Sequence, residues 1–184
     1  MVDSPLCPID VDVYKRLLLD IAQQRSVERI LSLIVERLAE QPETALARIW
    51  LAQPGDICAD CRMRDVCPDQ SLCLHLVASA GRSRDSTVQW SRLDGEFRRF
   101  PLGVRKVGQI ASTAAPIEVP DIDKEPHWMA RPDWARREGI RAFGGQPLVY
   151  QSEVLGVLAV FTRACLGEDN LTWLRMIADP LAVA

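Results

Sequence analysis

Four cysteines stand close together in the first half of the chain and are its most chemically distinctive residues. They are Cys58, Cys61, Cys67 and Cys73, spaced C-x2-C-x5-C-x5-C. Four thiolates within one short segment can close on a single ion or cluster, because tetrahedral Zn²⁺ and iron–sulfur centres both favour sulfur ligands. The spacing therefore predicts a metal site whose cofactor is zinc or an iron–sulfur cluster.

Two other interpretations of these cysteines stay open. The thiols can form reversible disulfides that act as a redox switch, or they can have no essential role. His75 shares a strand face with Cys73 and is a candidate extra ligand, although a lone histidine on a strand is more often simply packed or hydrogen bonded. The cysteine-rich insertion over residues 53–73 is unusually long and polar for a connection inside a compact domain, which indicates a specific role.

A second set of residues can bind a small molecule. Most of the set is aromatic, and its members lie in or beside the polar segment of residues 81–139. The candidates for lining a ligand pocket are Trp90, Ile110, Asp121, His127, Trp128, Trp134 and Phe143. Aromatic side chains in such a segment are more often core residues than a ligand cage, so both roles stay open.

The elements that position these residues are centred on a hairpin near the end of the sequence. Residues 142–150 and 154–162 are predicted strands, joined by a short polar turn. The second strand is apolar on both faces, so both faces must be covered and the hairpin must lie within a sheet rather than at its edge. We expect helices on one face and either a second layer or a cavity on the other.

The remaining elements follow from apolar periodicity. Helices are predicted over residues 10–24, from Ser26 as N-cap to about residue 41, over 104–114, over 133–138 and from about 168. Strands are predicted over residues 46–52, 73–80, 87–93 and 117–119. Helices at both ends that cover one face of an antiparallel sheet indicate an α+β domain, with the segment 81–139 as a roof over the other face.

Composition excludes several classes of function. The 22 basic and 25 acidic residues give a formal charge of −3, which provides no general reason to expect direct binding to nucleic acid. The apolar runs reach about eight residues, whereas a membrane span needs about twenty. With no secretory leader, we expect a cytoplasmic protein whose cysteines are thiols or metal ligands. No Ser/His/Asp, paired-carboxylate or phosphate-loop pattern supports a hydrolase or nucleotidase.

Four stretches in this order resemble the GAF family of sensory domains from about Ser26 onwards. They are SVERILSLIVERL, ALARIWLA, FPLGVRKVGQIASTAAPIEVPDIDKEPHW and RAFGGQPLVYQSEVLGVLAVF. Within the third stretch, a G-x-I-A helix start at Gly108 precedes the segment from Val119 to Ile122, as is typical of the family. The resemblance implies an antiparallel sheet of about six strands, a ligand cavity beneath the roof and a regulatory role. Residues 1–25 would then be a linker helix.

The resemblance favours a non-catalytic sensor. A small molecule or the cysteine-bound centre would shift the populations of two states, and the terminal helices would pass this bias to an attached effector domain, such as a transcription activator or histidine kinase. Such domains often form homodimers through their terminal helices. The final helix ends within its apolar pattern, which favours an attached effector.

Two alternatives belong to other classes of function. One is a thiol-based reductase similar to the free methionine sulfoxide reductases, GAF enzymes that use cysteines lining the pocket. The chain departs from these enzymes because the stretch GGQPLV lacks a cysteine where they have one. The other alternative is a structural dimerisation module whose cysteines only fix a loop. The signature of the cyclic-nucleotide-binding members is also missing.

Overall fold

The protein is a single antiparallel sheet with helices on both faces, as a computed structural model of residues 11–125, 129–166 and 170–183 shows. Its elements are α1 (Val11–Ala22), α2 (Val27–Ala39), β1 (Thr44–Pro54), β2 (Leu72–Gly81), β3 (Arg99–Pro101), α3 (Arg105–Thr113), β4 (Ile117–Val119), α4 (Pro132–Glu138), β5 (Ala142–Tyr150), β6 (Glu153–Thr162) and α5 (Asn170–Leu181). Within these ranges, none of the helices has both the length and the apolar character that crossing a membrane requires.

The six strands lie in the order β3-β2-β1-β6-β5-β4, and every neighbouring pair is antiparallel. The predicted α+β class is therefore confirmed, and the hairpin of β5 and β6 lies within the sheet as expected. Its tight turn places Gln151 and Ser152 at φ of 47° and 70°. Two successive positive φ values are typical of the type I′ turn, whose twist matches that of the flanking strands.

Helices α2 and α5 cover one face of the sheet. Ile34 of α2 and Leu174 of α5 are almost fully buried against Ile49 and Leu158 of the central strands. The side chain of Ser26 caps α2 by accepting a hydrogen bond from the backbone N–H of Arg29, as the sequence predicts.

Helix α1, which lies in the predicted linker segment, packs on the same layer. Leu17 is buried in that core, and the hydroxyl of Tyr14 donates to the carbonyl of Met176 at 3.0 Å. Asp20 forms an ion pair with Arg37 of α2 at 3.1 Å. These contacts tie α1 to both α2 and α5.

The opposite face is covered by α3, α4 and the connection between β2 and β3, which together form the predicted roof. Trp50, Ile110, Phe143 and Val157 are fully buried there. At Gly108, an added Cβ would lie only 2.2 Å from the carbonyl oxygen of Pro101. The glycine of the G-x-I-A helix start is needed because α3 approaches the backbone of β3 closely at this point.

The predicted edge strand over residues 87–93 is wrong. The segment forms only an isolated bridge between Arg82 and Gln89, and the edge strand beside β2 is β3. The carboxylate of Asp85 accepts hydrogen bonds from the backbone N–H of Thr87 at 3.1 Å, from its hydroxyl at 2.6 Å and from the hydroxyl of Ser83 at 2.7 Å. Such local bonds offer the backbone an alternative to a strand ladder.

Candidate functional site

A cavity of about 390 Å³ lies between the sheet and its roof. Its walls are largely aromatic, formed by Trp50, Trp90, Phe97, Phe100, Trp134, Phe143 and Phe161. The volume and the apolar lining are those of an ordinary small-molecule pocket. The cavity is therefore the first candidate for a functional site.

The aromatic walls hold one another in place. The indole Nε1 of Trp50 donates to the carbonyl of Phe97 at 3.1 Å, and its ring lies edge-on to Phe100 with centroids 5.7 Å apart. On the roof side, the ring centroid of Trp134 lies 5.5 Å from that of Trp90 and 6.0 Å from that of Phe161. The Trp50–Phe100 and Trp134–Phe161 pairs are edge-to-face, an arrangement that is favourable at these distances, so the cavity is formed without needing a ligand to shape it.

A single arginine of β1 lies within this aromatic lining. Strand alternation places Leu46, Arg48 and Trp50 together on the cavity side. The Nε of Arg48 donates to the hydroxyl of Ser79 at 3.2 Å, and that hydroxyl donates to the carbonyl of Trp90 at 2.6 Å. These two hydrogen bonds fix the guanidinium against the sheet and connect it to the roof.

Arg48 is a cation without a carboxylate partner in the described part of the chain. Burial lowers the pKa of Arg48 to about 10, and no neighbouring acid offsets this effect. The guanidinium is therefore still protonated at neutral pH, at the cost of removing a charge from water.

Further charged groups line the cavity, and most of them are cations. Arg105, Lys106 and Arg131 contribute positive charge, and Glu96 contributes a negative one. Glu96 is already paired, since it lies 3.2 Å from Arg131 and also forms an ion pair with Arg62 of the cysteine-bearing connection. The lining therefore has an excess of positive charge, which favours an anionic ligand.

The structure brings together three of the predicted pocket residues. Trp90, Trp134 and Phe143 all line the aromatic cavity. His127 and Trp128 lie outside the described residues.

Two of the predicted pocket residues have other positions. Ile110 is fully buried behind the cavity, where it fills the space left by Gly145; a Cβ on that glycine would lie 2.4 Å from Ile110 Cδ1. Asp121 accepts a hydrogen bond from the backbone N–H of Asp123 at 3.2 Å and forms an ion pair with Arg141 at 3.5 Å. Both residues therefore act in packing or in local structure.

Sequence reasoning missed Arg48, Trp50 and Glu96 as parts of the site. A signal for Arg48 was present, because it is the only charged residue in the otherwise apolar strand segment ALARIWLA and shares an alternation with Trp50. No comparable pattern marks Glu96, which lies in an irregular connection.

The predicted cysteine site lies in the connection between β1 and β2, residues 55–71, which we call the cysteine loop. Its ends are joined by a hydrogen bond from the backbone N–H of Gly55 to the carbonyl of Ser71 at 2.9 Å. Cys58, Cys61 and Cys67 of the loop and Cys73 of β2 line one small cavity of about 20 Å³. The structure thus brings all the predicted metal ligands to a common space.

A network of charged and titratable side chains, in which Asp56 is exposed and His75 is buried, borders this small cavity. Arg99 of β3 binds Asp56 through two hydrogen bonds, of 2.8 and 2.5 Å, and this pairing holds the pKa of Asp56 well below its usual range. His75 is 6% exposed, and its Nε2 lies 3.8 Å from Asp56 Oδ1 without a hydrogen-bond partner. Burial lowers the pKa of His75, with the charge of Arg99 acting in the same direction.

The cysteines share a cavity without forming a ready-made metal centre. Among the residues that the structure describes, no group of three or more His, Cys, Asp or Glu side chains is positioned to hold a metal ion. Burial raises the pKa of Cys73 to about 11, so this thiol is protonated at neutral pH. The metal, disulfide and idle-thiol interpretations all stay predictions.

Comparison with family models matches residues 26–184 to the GAF domain. A comparison with curated proteins gives no match.

Several solved structures share the fold. The GAF domain of a phosphoenolpyruvate-protein phosphotransferase (ptsP) from Coxiella burnetii matches with a TM-score of 0.66 and 18% identity, covering 94% of this chain and 90% of its own. The free methionine-R-sulfoxide reductase of Neisseria meningitidis, in complex with its substrate, matches with a TM-score of 0.64 and 18% identity, covering 94% and 86%. The GAF domain of A. aeolicus nlh2, in an inactive state, matches with a TM-score of 0.66 and 14% identity, covering 94% of this chain and 93% of its own.

Proposed function

The chain belongs to the GAF domain family, and we propose that it is a non-catalytic sensory module whose aromatic cavity binds a small anionic molecule. The observation that carries this proposal is Arg48, a cation held within an aromatic lining without a carboxylate partner in the described part of the chain. The solved structures of similar fold include both GAF domains and reductases, so the fold alone does not distinguish a sensor from an enzyme.

The energetics of Arg48 favour an anion in the cavity. Taking a guanidinium out of water is unfavourable unless an opposite charge or hydrogen bonds compensate it. Ser79 satisfies Nε alone, so a carboxylate or phosphate could accept hydrogen bonds from the two terminal nitrogens. An ion pair between the ligand and Arg48 would offset part of the unfavourable free energy of burying the guanidinium.

The aromatic walls indicate the rest of the ligand. Trp90 and Trp134 are only partly buried and offer apolar surface in the cavity that Arg48 lines, while the buried Trp50 stands behind it. A planar apolar body that carries one acidic group would place its ring among these side chains and its charge at Arg48. Arg105 and Arg131 are exposed, so they can attract such an anion from solution.

The position of the cysteines supports sensing rather than thiol catalysis. The reductases that the sequence resembles use cysteines that line the pocket, but none of the described residues lining the aromatic cavity is a cysteine. Cys58, Cys61, Cys67 and Cys73 line a separate cavity instead. Among the described residues, a sulfoxide bound among the tryptophans would therefore have no cysteine in the lining of its cavity, and reduction by this route requires a thiolate beside the substrate.

The terminal helices are the proposed route for the signal. Strands β1 and β6 contribute side chains both to the aromatic cavity and to the core beneath α2 and α5. Leu19 of α1 and Met176 of α5 are 64% and 46% exposed, which leaves apolar surface on these helices for another partner. We propose that they contact an attached effector domain and a second copy of the chain; analytical ultracentrifugation of Leu19→Glu would test the homodimer.

Calorimetry on a defined panel tests the ligand proposal. We would titrate the chain with small aromatic carboxylates and phosphates, with the matching amides and amines as controls. The acids should bind and the neutral or cationic analogues should not. Arg48→Gln should weaken binding by about 10- to 100-fold, the loss expected for a charge-assisted hydrogen bond of about 1.5–3 kcal/mol. Arg48→Lys should give an intermediate affinity, because it keeps the charge but not the planar fork.

Three results would contradict the proposal. Equal binding of acids and amides, or unchanged affinity in Arg48→Gln, would remove the anionic anchor. Thiol-dependent turnover of free methionine sulfoxide that Cys58→Ser abolishes would instead establish a reductase. If the unliganded chain unfolds at the same or a higher temperature after Arg48→Gln, a loss of binding cannot be attributed to misfolding.

A further inference from the structure

The cysteine loop is folded around its thiols. Across residues 55–71, most side chains are exposed, and the shielded residues are Gly55, Ile57, Cys58, Cys61, Met63 and Cys67. Half of the shielded positions are therefore cysteines, and the fourth thiol of the set, Cys73, is buried where the loop enters β2. A loop of this length with so few apolar side chains has little hydrophobic burial to order it.

We propose that the cysteine loop binds one thiophilic metal ion of the Zn²⁺ class, with Cys58, Cys61, Cys67 and Cys73 as its four ligands. This site goes beyond the proposed anion sensor and is independent of it, because the four thiols line their own cavity. On binding, each thiol releases its proton and forms one metal–sulfur bond, and no electron is transferred.

The size of the cavity favours a single ion. Its volume of about 20 Å³ corresponds to little more than one water-sized sphere. Four thiolates around a divalent ion are a standard tetrahedral arrangement, whereas an iron–sulfur cluster adds several iron and sulfide atoms to the same space. The ion therefore fits where a cluster would require the loop to open.

Charges beside the cavity suit the complex that would form. Four thiolates and one divalent ion have a net charge of −2, and the charged side chains that line the cavity, Arg64, Arg99 and Asp56, together carry +1. Both guanidinium groups line the same space as the four thiols, and Asp56 holds that of Arg99 in place. The cations would partly neutralise the metal–thiolate centre, as charged groups around metal ligands commonly do.

The backbone of the loop is shaped to bring Cys58 inward. An added Cβ at Gly55 would lie 2.6 Å from Cys58 Sγ and 2.8 Å from the carbonyl oxygen of Gln70, so only glycine allows this approach. Gln70 itself has a φ of 57°, a left-handed conformation that is uncommon outside glycine. The Sγ of Cys58 donates to that carbonyl at 3.4 Å, and ion binding would replace this weak bond after rotation about χ1.

Cobalt is a suitable probe because it takes zinc's place and absorbs visible light in a tetrahedral site. We would purify the chain without oxygen, reduce it, remove metal with a chelator and titrate it with Co²⁺ and then Zn²⁺. We expect one Co²⁺ per chain, intense visible absorption, thiolate-to-metal charge-transfer bands and displacement by one equivalent of Zn²⁺.

Matched variants identify the ligands. Cys58→Ser and Cys67→Ser should each lower the affinity for Zn²⁺ by about 100-fold or more, since even residues around metal ligands contribute about 10- to 100-fold. Cys165→Ser is the control and should bind normally, because Cys165 is exposed and lies outside the loop. Both loop cysteines are in an irregular segment, so circular dichroism should show an intact fold.

Three results would overturn the proposal. One is the absence of a tetrahedral cobalt spectrum in the reduced protein. A second is unchanged zinc affinity in both loop variants. The third is a different centre in the native protein, either iron with acid-labile sulfide or a disulfide among the four cysteines in a chain that binds no metal after reduction.

Discussion

The aromatic cavity and the cysteine loop are neighbours across β3, but they are held together in different ways. In β3, Phe100 is 6% exposed and lines the aromatic cavity, while the adjacent Arg99 lines the cysteine cavity. Three of the aromatic walls, Trp50, Phe143 and Phe161, lie on long, paired strands with a buried core behind them. The cysteine loop is attached at its two ends, through Met63, its one buried side chain, and through the hydrogen bonds of Asp56 with Arg99 of β3.

This difference indicates what each region requires in order to function. The aromatic cavity is part of the core, so its shape exists before a ligand arrives and its stability is that of the whole domain. The cysteine loop has little core of its own, so its order should depend on what its thiols bind. The first region is suited to recognising a ligand, and the second to responding to the availability of a metal.

The largest expected effect comes from removing a wall of the aromatic cavity. Trp50 is 1% exposed and bonded to Phe97, so Trp50→Ala should lower the free energy of unfolding by about 3–5 kcal/mol. Val66 of the cysteine loop is 59% exposed, and Val66→Ala should change the free energy of unfolding by less than about 0.5 kcal/mol. Urea denaturation measures both values. Similar losses in the two variants would show that the cysteine loop contributes to the core as much as the aromatic cavity does.

Metal removal should have the next largest effect, and it should be local. At a free Zn²⁺ concentration 100 times the dissociation constant, bound metal would stabilise the loop by about 2.7 kcal/mol. Chelation should therefore accelerate amide hydrogen exchange across residues 55–71 and leave the central strands β1 and β6 protected. Mass spectrometry would locate the change; uniform acceleration over the chain, or none in the loop, would contradict the separation of the two regions.

The same contrast explains how much the sequence alone could predict. Apolar periodicity identified the helices and all strands but one, because long buried elements leave a regular pattern of side chains. The hairpin was the clearest case, since β6 is apolar on both faces and lies within the sheet. The missed strand was β3, whose three residues are too few to show a pattern. A strand was predicted instead at Thr87, where hydrogen bonds to Asp85 stabilise a turn.

The candidate site was less predictable for a physical reason. A cavity is lined by side chains that come from many separated segments, so no local spacing reveals its members. Arg48, Glu96 and Trp134 meet only because β1, the roof connection and α4 fold over one another. The cysteine cavity was easier, because its four residues lie within one loop and the start of the following strand.

The ion pairs of Glu96 can couple the two regions. Removing these pairs should have a smaller effect than the two changes above. Glu96 pairs with Arg62 of the cysteine loop and with Arg131 beside the aromatic cavity. Both arginines are more than half exposed, so each pair is worth about 0.2–1 kcal/mol. Glu96→Gln should therefore change the effect of Zn²⁺ on anion affinity by no more than about 5-fold.

Calorimetric titration of the anion with and without Zn²⁺ measures this coupling. Asp94→Asn is the matched control, because Asp94 forms an exposed ion pair with Arg92 in the same connection and neither residue lines the cavity. Coupling that persists unchanged in Glu96→Gln would show that β3, rather than the ion pairs, joins the two sites.

The smallest expected effect concerns the turn at Asp85 in the roof. Hydrogen bonds from Thr87 and then Ser83 lower the pKa of Asp85 to about 2 from 3.8. The folded chain therefore holds fewer protons than the unfolded chain between these pH values, so the turn's contribution is complete above pH 3.8 and is lost as the pH falls toward 2. Asp85→Asn should reduce the loss of folding stability as the pH falls from 3.8 toward 2. The metal affinity of the cysteine loop should stay unchanged. Thermal unfolding at a series of pH values measures how steeply stability falls with pH. An equally steep fall in the variant would show that the stability of the roof does not depend on this carboxylate.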